Sequence, residues 1–267
     1  MTQRTLDIDG QLVHVHLEGT GHPVLLVHGF PLDHTMWRHQ IDALSRYGQV
    51  IAPDLPGFGV SGPISSPRTM AEFADDLADI LVALQISEPV VLGGLSMGGY
   101  IAWEFWHRHP DRLRAMMICD SRAVADDAIT QKARQVAASQ ALAEGTRVVT
   151  VPMRDRLFRE GFRDRHPIEF ERIQTVMDQT RPETIAAALQ GMASRRDFVH
   201  RLPEITLPIL VLCGEHDVIS PAAEMQDLAT RLPDAEFALI AGAGHMAPVE
   251  QPQAVNEAMQ EFLAGVT

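Results

Sequence analysis

Cysteine is scarce in this chain and long apolar runs are missing. Cys119 and Cys213 are the two cysteines among 267 residues, too few for a disulfide framework. Both lie in apolar runs, MMIC and LPILVLC, and read as small buried hydrophobes. No stretch approaches the roughly 20 consecutive apolar residues that cross a bilayer. The N-terminal MTQRTLDIDGQLVHVHLEG also has no apolar core of signal-peptide length, so a cytoplasmic protein without a membrane partner is expected. Positive charge is short as well: 22 Lys+Arg face 35 Asp+Glu, a formal net charge of −13. Nucleic acid or an anionic surface needs the opposite balance, so neither is an expected partner. A small molecule is. Acidic residues gather in AEFADDLADI and AVADDAI, where they favour solubility.

With 46% hydrophobic and 21% charged residues, the chain has the composition of an ordinary globular protein with an ample core. TLDIDGQLVHVHLEG alternates around an Asp-Gly turn and predicts a hairpin, with strands near 4–9 and 12–18. From Pro23 the pattern changes to short continuous runs, PVLLVHG, QVIAPD, PVVLGG, LRAMMICD, LPILVLCG and AEFALIAG. Runs of this kind are strands buried on both faces. Helical stretches separate most of them: His34 to Ser45, Met70 to Leu84, Met97 to His109, Ala222 to Arg231 and Pro248 to Leu263. Strand followed by helix, repeated, predicts an α/β fold with a mostly parallel sheet flanked by helices. Residues 121–205 interrupt the alternation with helical segments alone (DDAITQKARQVAASQALAEG, FERIQTVMDQ, PETIAAALQGMA). The expected organisation is a core of 1–120 and 206–267 with eight strands, and a helical cap of 121–205 inserted after the sixth.

Gly94-Leu95-Ser96-Met97-Gly98 follows the run PVVLG and opens the helix MGGYIAWEFWHRH. G-x-S-x-G in a strand-turn-helix context is a nucleophile elbow: small flanking residues admit a strained turn that leaves the serine hydroxyl exposed. The helix start behind it aims free N–H groups at any negative charge that develops.

On these residues the chain resembles the α/β-hydrolase family, its carboxylesterase and 3-oxoadipate enol-lactonase-like branch in particular. The resemblance covers nearly the whole chain outside the cap. His28-Gly29-Phe30-Pro31-Leu32 stands where the family supplies one oxyanion donor, and Asp54-Leu55-Pro56-Gly57-Phe58-Gly59 with Ser61 resembles its structural loop. Gly214-Glu215-His216-Asp217 and Gly242-Ala243-Gly244-His245 follow the last two strands. The family's order of nucleophile, acid and histidine is met by Ser96, Asp217 and His245. What it implies is an acyl-enzyme at Ser96, His245 as general base and acid, Asp217 orienting it, and an oxyanion hole from the Phe30 and Met97 backbone N–H groups. No metal or organic cofactor is implied. Asp120, directly after LRAMMIC, competes for the acid, since some superfamily members carry it there. Among twelve histidines, His14 and His16 on the hairpin and His34, His39, His107, His109, His166 and His200 read as solvated, and His28 as a support of its loop.

Family members that open epoxides or displace halide use Asp at the elbow, so Ser96 points to acyl transfer. The expected reaction is hydrolysis of small to medium, mostly neutral carboxylic esters. Lactonase and cofactor-free perhydrolase or haloperoxidase activities are the alternatives, with a slow ligand sensor behind them. Carbon–carbon hydrolases usually carry extra glycines where Phe30-Pro31 stands. Leu32, Met153, Leu157, Phe158, Met177 and Met192 are the candidate substrate-binding residues, with Leu189 beside them, because methionine and leucine fill irregular space. Arg122, Arg154, Arg156 and Arg159 are candidates for a substrate carboxylate. The small-molecule ester or lactone would be the partner, of a monomer or a homodimer.

Overall fold

A computed structural model describes residues 2–64 and 66–266. Eight strands form one sheet: β1 (Thr2–Ile8), β2 (Gln11–Glu18), β3 (Pro23–Val27), β4 (Gln49–Pro53), β5 (Val90–Leu95), β6 (Leu113–Cys119), β7 (Ile209–Gly214) and β8 (Ala235–Ile240). Their spatial order is β1-β2-β4-β3-β5-β6-β7-β8. The hairpin β1–β2 and the β2–β4 pair are antiparallel, and every other pair is parallel. Asp9 and Gly10 both have positive φ, the backbone of the two-residue turn that the Asp-Gly dipeptide predicts.

The helices are α1 (Arg38–Leu44), α2 (Met70–Ala83), α3 (Met97–Arg108), α4 (Ala128–Glu144), α5 (Arg147–Leu157), α6 (Phe162–Arg165), α7 (Pro167–Gln179), α8 (Pro182–Ala193), α9 (Ala222–Arg231), α10 (Ala247–Glu250) and α11 (Pro252–Val266). The parallel strands alternate between two cores, as a pleated ribbon must when helices cover both faces. Leu25 and Val27 pack with α2 and α3 residues such as Phe73, Leu77 and Trp103, whereas Val24 and Leu26 pack with Trp37, Ile41, Met259 and Phe262. β8 differs from the expectation of a strand buried on both faces. It is the sheet's edge, and its Leu239 is half exposed.

Five helices, α4 to α8, lie between β6 and β7. The expected helical stretches correspond to α4, α7 and α8. The sequence reading did not pick out α5, because Pro152 stands inside it and Pro ordinarily interrupts a helical pattern. Side chains tie the insertion to the core loops: Thr184 Oγ1 donates to the Gly57 carbonyl at 3.0 Å and Thr180 Oγ1 to the Pro31 carbonyl at 3.2 Å. Arg172 Nη1 donates to the Thr35 carbonyl at 3.2 Å, and Arg38 pairs with Glu169. The order in which the chain adds parallel strands reverses at β3, which has β4 on one side and β5 on the other. The C-terminal strand ends there form the crevice where open α/β sheets place ligands. No helix among the described residues is long and apolar enough to cross a membrane.

Candidate active site

Ser96 joins β5 to α3 with φ +53 and ψ −112, a conformation few residues other than glycine adopt. Its surroundings hold it there. The Ser96 N–H donates to the Cys119 carbonyl at 3.0 Å, and the Ser96 carbonyl accepts from Ser121 Oγ at 2.7 Å. The flanking glycines are sterically required: a Cβ on Gly94 would stand 2.3 Å from the Gly98 oxygen, and one on Gly98 would stand 2.3 Å from the Val27 oxygen. The result is a half-buried hydroxyl at the start of α3.

His245 lies in the loop after β8, nearly fully buried, and its Nδ1 is 2.8 Å from Asp217 Oδ2. Asp217 is itself fixed, because its Oδ1 accepts from the Ile219 N–H at 2.7 Å and the Ser220 N–H at 3.0 Å. With the Nδ1 hydrogen pointed at a carboxylate, Nε2 carries the ring's free lone pair. That Nε2 is buried and bonded to no protein group among the described residues. The imidazole bonds Asp217, whereas Asp120 turns its Oδ1 to the Gly214 N–H at 2.7 Å. Burial, reinforced by the charge of Asp217, pushes the Asp120 carboxyl well above the usual carboxylate range.

Glu250 stands behind His245. Its carboxylate accepts from the Gly244 N–H at 2.8 Å and from the Arg159 N–H at 3.0 Å, so one side chain clamps the histidine loop to the turn after α5. Burial raises its pKa, and the backbone donors oppose that rise. The sequence reading did not single out Glu250. Its nearness to His245 in PVEQP was the one available signal, and no motif marks it.

The loop after β3 is built with comparable economy. His28 is fully buried with both ring nitrogens engaged, Nδ1 to the Gly29 carbonyl at 2.9 Å and Nε2 accepting from the Leu55 N–H at 3.0 Å. Burial lowers its pKa, in keeping with a neutral ring. Asp54 Oδ1 accepts from His34 twice, from the backbone N–H at 2.9 Å and from Nδ1 at 2.6 Å, while Oδ2 accepts from the Val60 N–H at 3.0 Å. Burial opposes the charged forms of both partners. Their mutual bond outweighs it, holding His34 above and Asp54 below the ordinary range. Among the described residues the Phe30 and Met97 N–H groups donate to no protein acceptor.

His14, His16 and His34 are not solvated as the sequence reading expected. His14 and His16 are buried and their rings sit 5.4 and 5.5 Å from that of His34. The reason is the loop after β3, which lays the His34 ring over the face of β2 that carries both, whereas β1 pairs with β2 only edge to edge. Two clusters bring three possible metal-ligating atoms within 4.8 Å, His14–His34–Asp54 and Asp120–Cys213–Asp217. In the first, both Asp54 oxygens are already spent on His34 and Val60. The second lies within the buried acid and histidine array.

A cavity of about 480 Å³ opens between α4, α5 and the core and is lined by Phe30, Leu189 and Ile219 together with Val148, Val149, Pro152 and Met153. Thr130, Gln140, Arg134 and Arg156 supply polar groups, and no acidic side chain lines it. Of the candidate substrate-binding residues, Met153 lines this cavity. Leu32, Leu157, Phe158 and Met177 are instead buried in the core on the α1 and α11 face of the sheet. Met192 is buried too, its sulfur 3.5 Å from Arg134 Nη1. Helical spacing of Met and Leu looks alike for a packed face and a pocket wall, which is why the sequence did not separate them. Arg122 is committed to Glu224 through two bonds, at 2.6 and 2.7 Å, and Arg134 to Asp126 at 2.5 Å. Arg156 is exposed and has no ion-pair partner among the described residues.

A family model described as alpha/beta hydrolase fold matches residues 22–252. An esterase from Thermogutta terrifontis, solved with malate bound, is 40% identical, with a TM-score of 0.96 over 100% of this chain and 99% of that one. An enol-lactonase from Burkholderia xenovorans is 25% identical with a TM-score of 0.91, over 98% of this chain and 100% of that one. The (E)-2-((N-methylformamido)methylene)succinate hydrolase of Acinetobacter baylyi is 27% identical, over 98% of each chain.

Proposed function

The chain belongs to the alpha/beta hydrolase fold family, and from that premise we propose that it is a serine hydrolase of carboxylic esters. Ser96 is the nucleophile of the proposed mechanism, His245 the base and acid, and Asp217 the acid that orients the ring. One observation carries the reading: His245 is held by Asp217 through Nδ1 while Nε2 remains buried and without a protein partner. A base so oriented can take only an incoming proton.

In this mechanism Nε2 removes the Ser96 proton as Oγ bonds to the ester carbonyl carbon. The oxyanion is stabilised by the Phe30 and Met97 N–H groups, each worth about 3 kcal/mol in the transition state. Collapse breaks the C–O bond, and Nε2–H protonates the departing alcohol. Water then attacks the acyl-Ser96 with Nε2 again as base, and the acid and free serine are released. The helices between β6 and β7, within residues 121–205, act as a cap, and the cavity beneath them holds the acyl group. Its apolar wall at Val148, Val149, Met153 and Leu189 suits short to medium chains. The identity to an esterase over the full length supports the ester class. Ser96→Ala, assayed on short p-nitrophenyl esters and for labelling by a fluorophosphonate, tests the proposal. Turnover or labelling that survives the substitution would overturn it.

A second reading, a lactonase acting on a carboxylate-bearing ring, is favoured by Arg156, which lines the cavity without an ion-pair partner among the described residues, and by a wall with no acid among those residues. The names of the enol-lactonase and succinate-type relatives point the same way. A kcat/KM at least about tenfold higher on an anionic lactone than on a neutral ester, lost in Arg156→Gln, would displace the ester reading.

A further inference from the structure

The mechanism above leaves one fully buried acid without a task. Asp120 ends β6 with φ +45, a costly backbone for a residue other than glycine, and its surroundings fix it from three directions. Its N–H donates to the Leu212 carbonyl at 2.8 Å, its carbonyl accepts from Ser220 Oγ at 3.1 Å, and its Oδ1 accepts from the Gly214 N–H at 2.7 Å. Its Oδ2 is buried, and no donor reaches it among the described residues. The nearest carboxyl oxygens of Asp120 and Asp217 and the Cys213 sulfur lie within 4.8 Å of one another.

Two ionised carboxylates so close in a buried site repel strongly, so one of them keeps its proton. The groups facing the pair supply little positive charge. Cys119 comes from β6, Cys213 from β7, and Glu250 from the end of α10, and none of these can be a cation. His245 can, but it is bonded to Asp217. Asp217 receives three donors, the Ile219 and Ser220 N–H groups and His245 Nδ1, whereas the Asp120 carboxyl receives one. The better-solvated carboxyl is the one that ionises, so the proton resides on Asp120. Its oxygens then have distinct uses: Oδ1 accepts from Gly214, and Oδ2 carries the hydrogen. The Cys213 thiol beside the pair donates to the Gly214 and Ser220 carbonyls, at 3.4 and 3.3 Å.

We propose that Asp120 is a positioning residue of the catalytic array: a neutral carboxylic acid whose Oδ2–H is given to the Asp217 carboxylate and keeps that carboxylate facing His245. This rests on the assignment of Ser96, His245 and Asp217 given above. The hydrogen bond stabilises Asp217 as the anion through the cycle and moderates its pull on the imidazolium. Without it the Asp217 carboxylate directs its undiminished charge at the imidazolium, and its side chain is freer to turn away.

The test compares the wild-type enzyme with Asp120→Ala and Asp120→Asn on one p-nitrophenyl ester across pH, together with infrared difference spectra at neutral pH. Fluorophosphonate labelling of Ser96 is run alongside. Asn is the conservative rescue, since its amide oxygen can accept from Gly214 and its NH2 can donate to Asp217. Asp120→Ala is expected to lower kcat about tenfold, as for one lost hydrogen bond to a charged group, and to move the acidic limb of the profile upward. Asp120→Asn is expected to restore kcat to within about threefold and to return the limb to its place. The wild-type spectrum should contain a protonated-carboxyl C=O band that the Asn variant lacks. An Asn variant as impaired as Ala would mean that an ionised Asp120 is needed, and would overturn the proposal. So would an Ala variant equal to wild type, or a wild-type spectrum without the band. Should the Ala variant not fold, the Asn variant and the band decide. A wild-type enzyme that is not labelled at Ser96 would instead refute the triad assignment itself.

Discussion

Glu250 offers a measurement of how the histidine loop is held. Replacing it with Ala removes the acceptor of two backbone N–H groups, those of Gly244 and Arg159, at 2.8 and 3.0 Å. Glu250 is 6% exposed, and a Cβ on Gly244 would lie within 2.9 Å of its carboxylate, so space for replacement water is limited. Each unpaired donor costs about 1–3 kcal/mol, giving a loss of about 2–6 kcal/mol for Glu250→Ala. From this is subtracted the cost of burying the ionised carboxylate, which the raised pKa reflects. The net expectation is about 2 kcal/mol, the lower end of that range. Glu250→Gln keeps one acceptor oxygen but turns an NH2 toward the other donor, and should fall between the two. Urea unfolding followed by fluorescence gives the order wild type, Gln, Ala. Esterase kcat should fall in the same order, because Gly244 immediately precedes His245. An Ala variant within about 0.5 kcal/mol of wild type would refute the reasoning, since substitutions of that size are what surface positions show.

Three further outcomes are expected. His34 titrates above its ordinary value of 6.5 and Asp54 below its 3.8. The bond between them is therefore fully present between those values, is lost as pH rises through the folded pKa of His34, and is lost as pH falls through that of Asp54. His34→Gln should accordingly destabilise more near pH 5 than near pH 8 by paired melting curves, and equal losses at both would contradict the assignment. Gly98→Ala forces a Cβ to 2.3 Å from the Val27 oxygen, so it should cost about 1–3 kcal/mol and abolish ester turnover through displacement of the elbow, read by calorimetry and kinetics. Asp126 accepts from Arg134 and Arg195, each at 2.5 Å, and is almost fully buried along with Arg195. Asp126→Ala strands a buried guanidinium and should cost about 3–5 kcal/mol in urea unfolding, and a loss below about 1 kcal/mol would show that water solvates it.

Most of the sheet was legible because parallel strands buried on both faces write themselves as short, mostly apolar runs. LRAMMICD and LPILVLCG needed no alternation to be found. The elbow was legible because sterics demand glycine at Gly94 and Gly98, leaving a pattern in the letters. The choice of acid was less so. Asp120 and Asp217 both follow apolar strands, and only three-dimensional placement shows which one the imidazole bonds. His14 and His16 were misread since alternation cannot distinguish solvent from a covering loop. The cavity wall was illegible for a related reason: Met153 and Met177 have the same character, but α5 turns one toward the cavity and α7 turns the other into the core. Glu250 left only its nearness to His245, because its job is to satisfy backbone donors and any chain order could supply such a group.

The place where α4 to α8 leave the sheet bears on how the protein folds. β6 and β7 pair directly, Met116 with Ile209 through Cys119 with Leu212. Because the pair is parallel, the intervening excursion leaves from the C-terminal end of β6 and returns to the N-terminal end of β7, a strand's length away. Closing a loop of this length costs about 4 kcal/mol of chain entropy, and shortening it to ten residues would recover only about 2 kcal/mol. The sheet can therefore zip before the excursion is ordered, and the helices can dock later as a separate cooperative unit. A circular permutant or a transplanted excursion of different length would meet little entropic resistance at that junction, so this segment is where the architecture can be rebuilt with least effect on the rest.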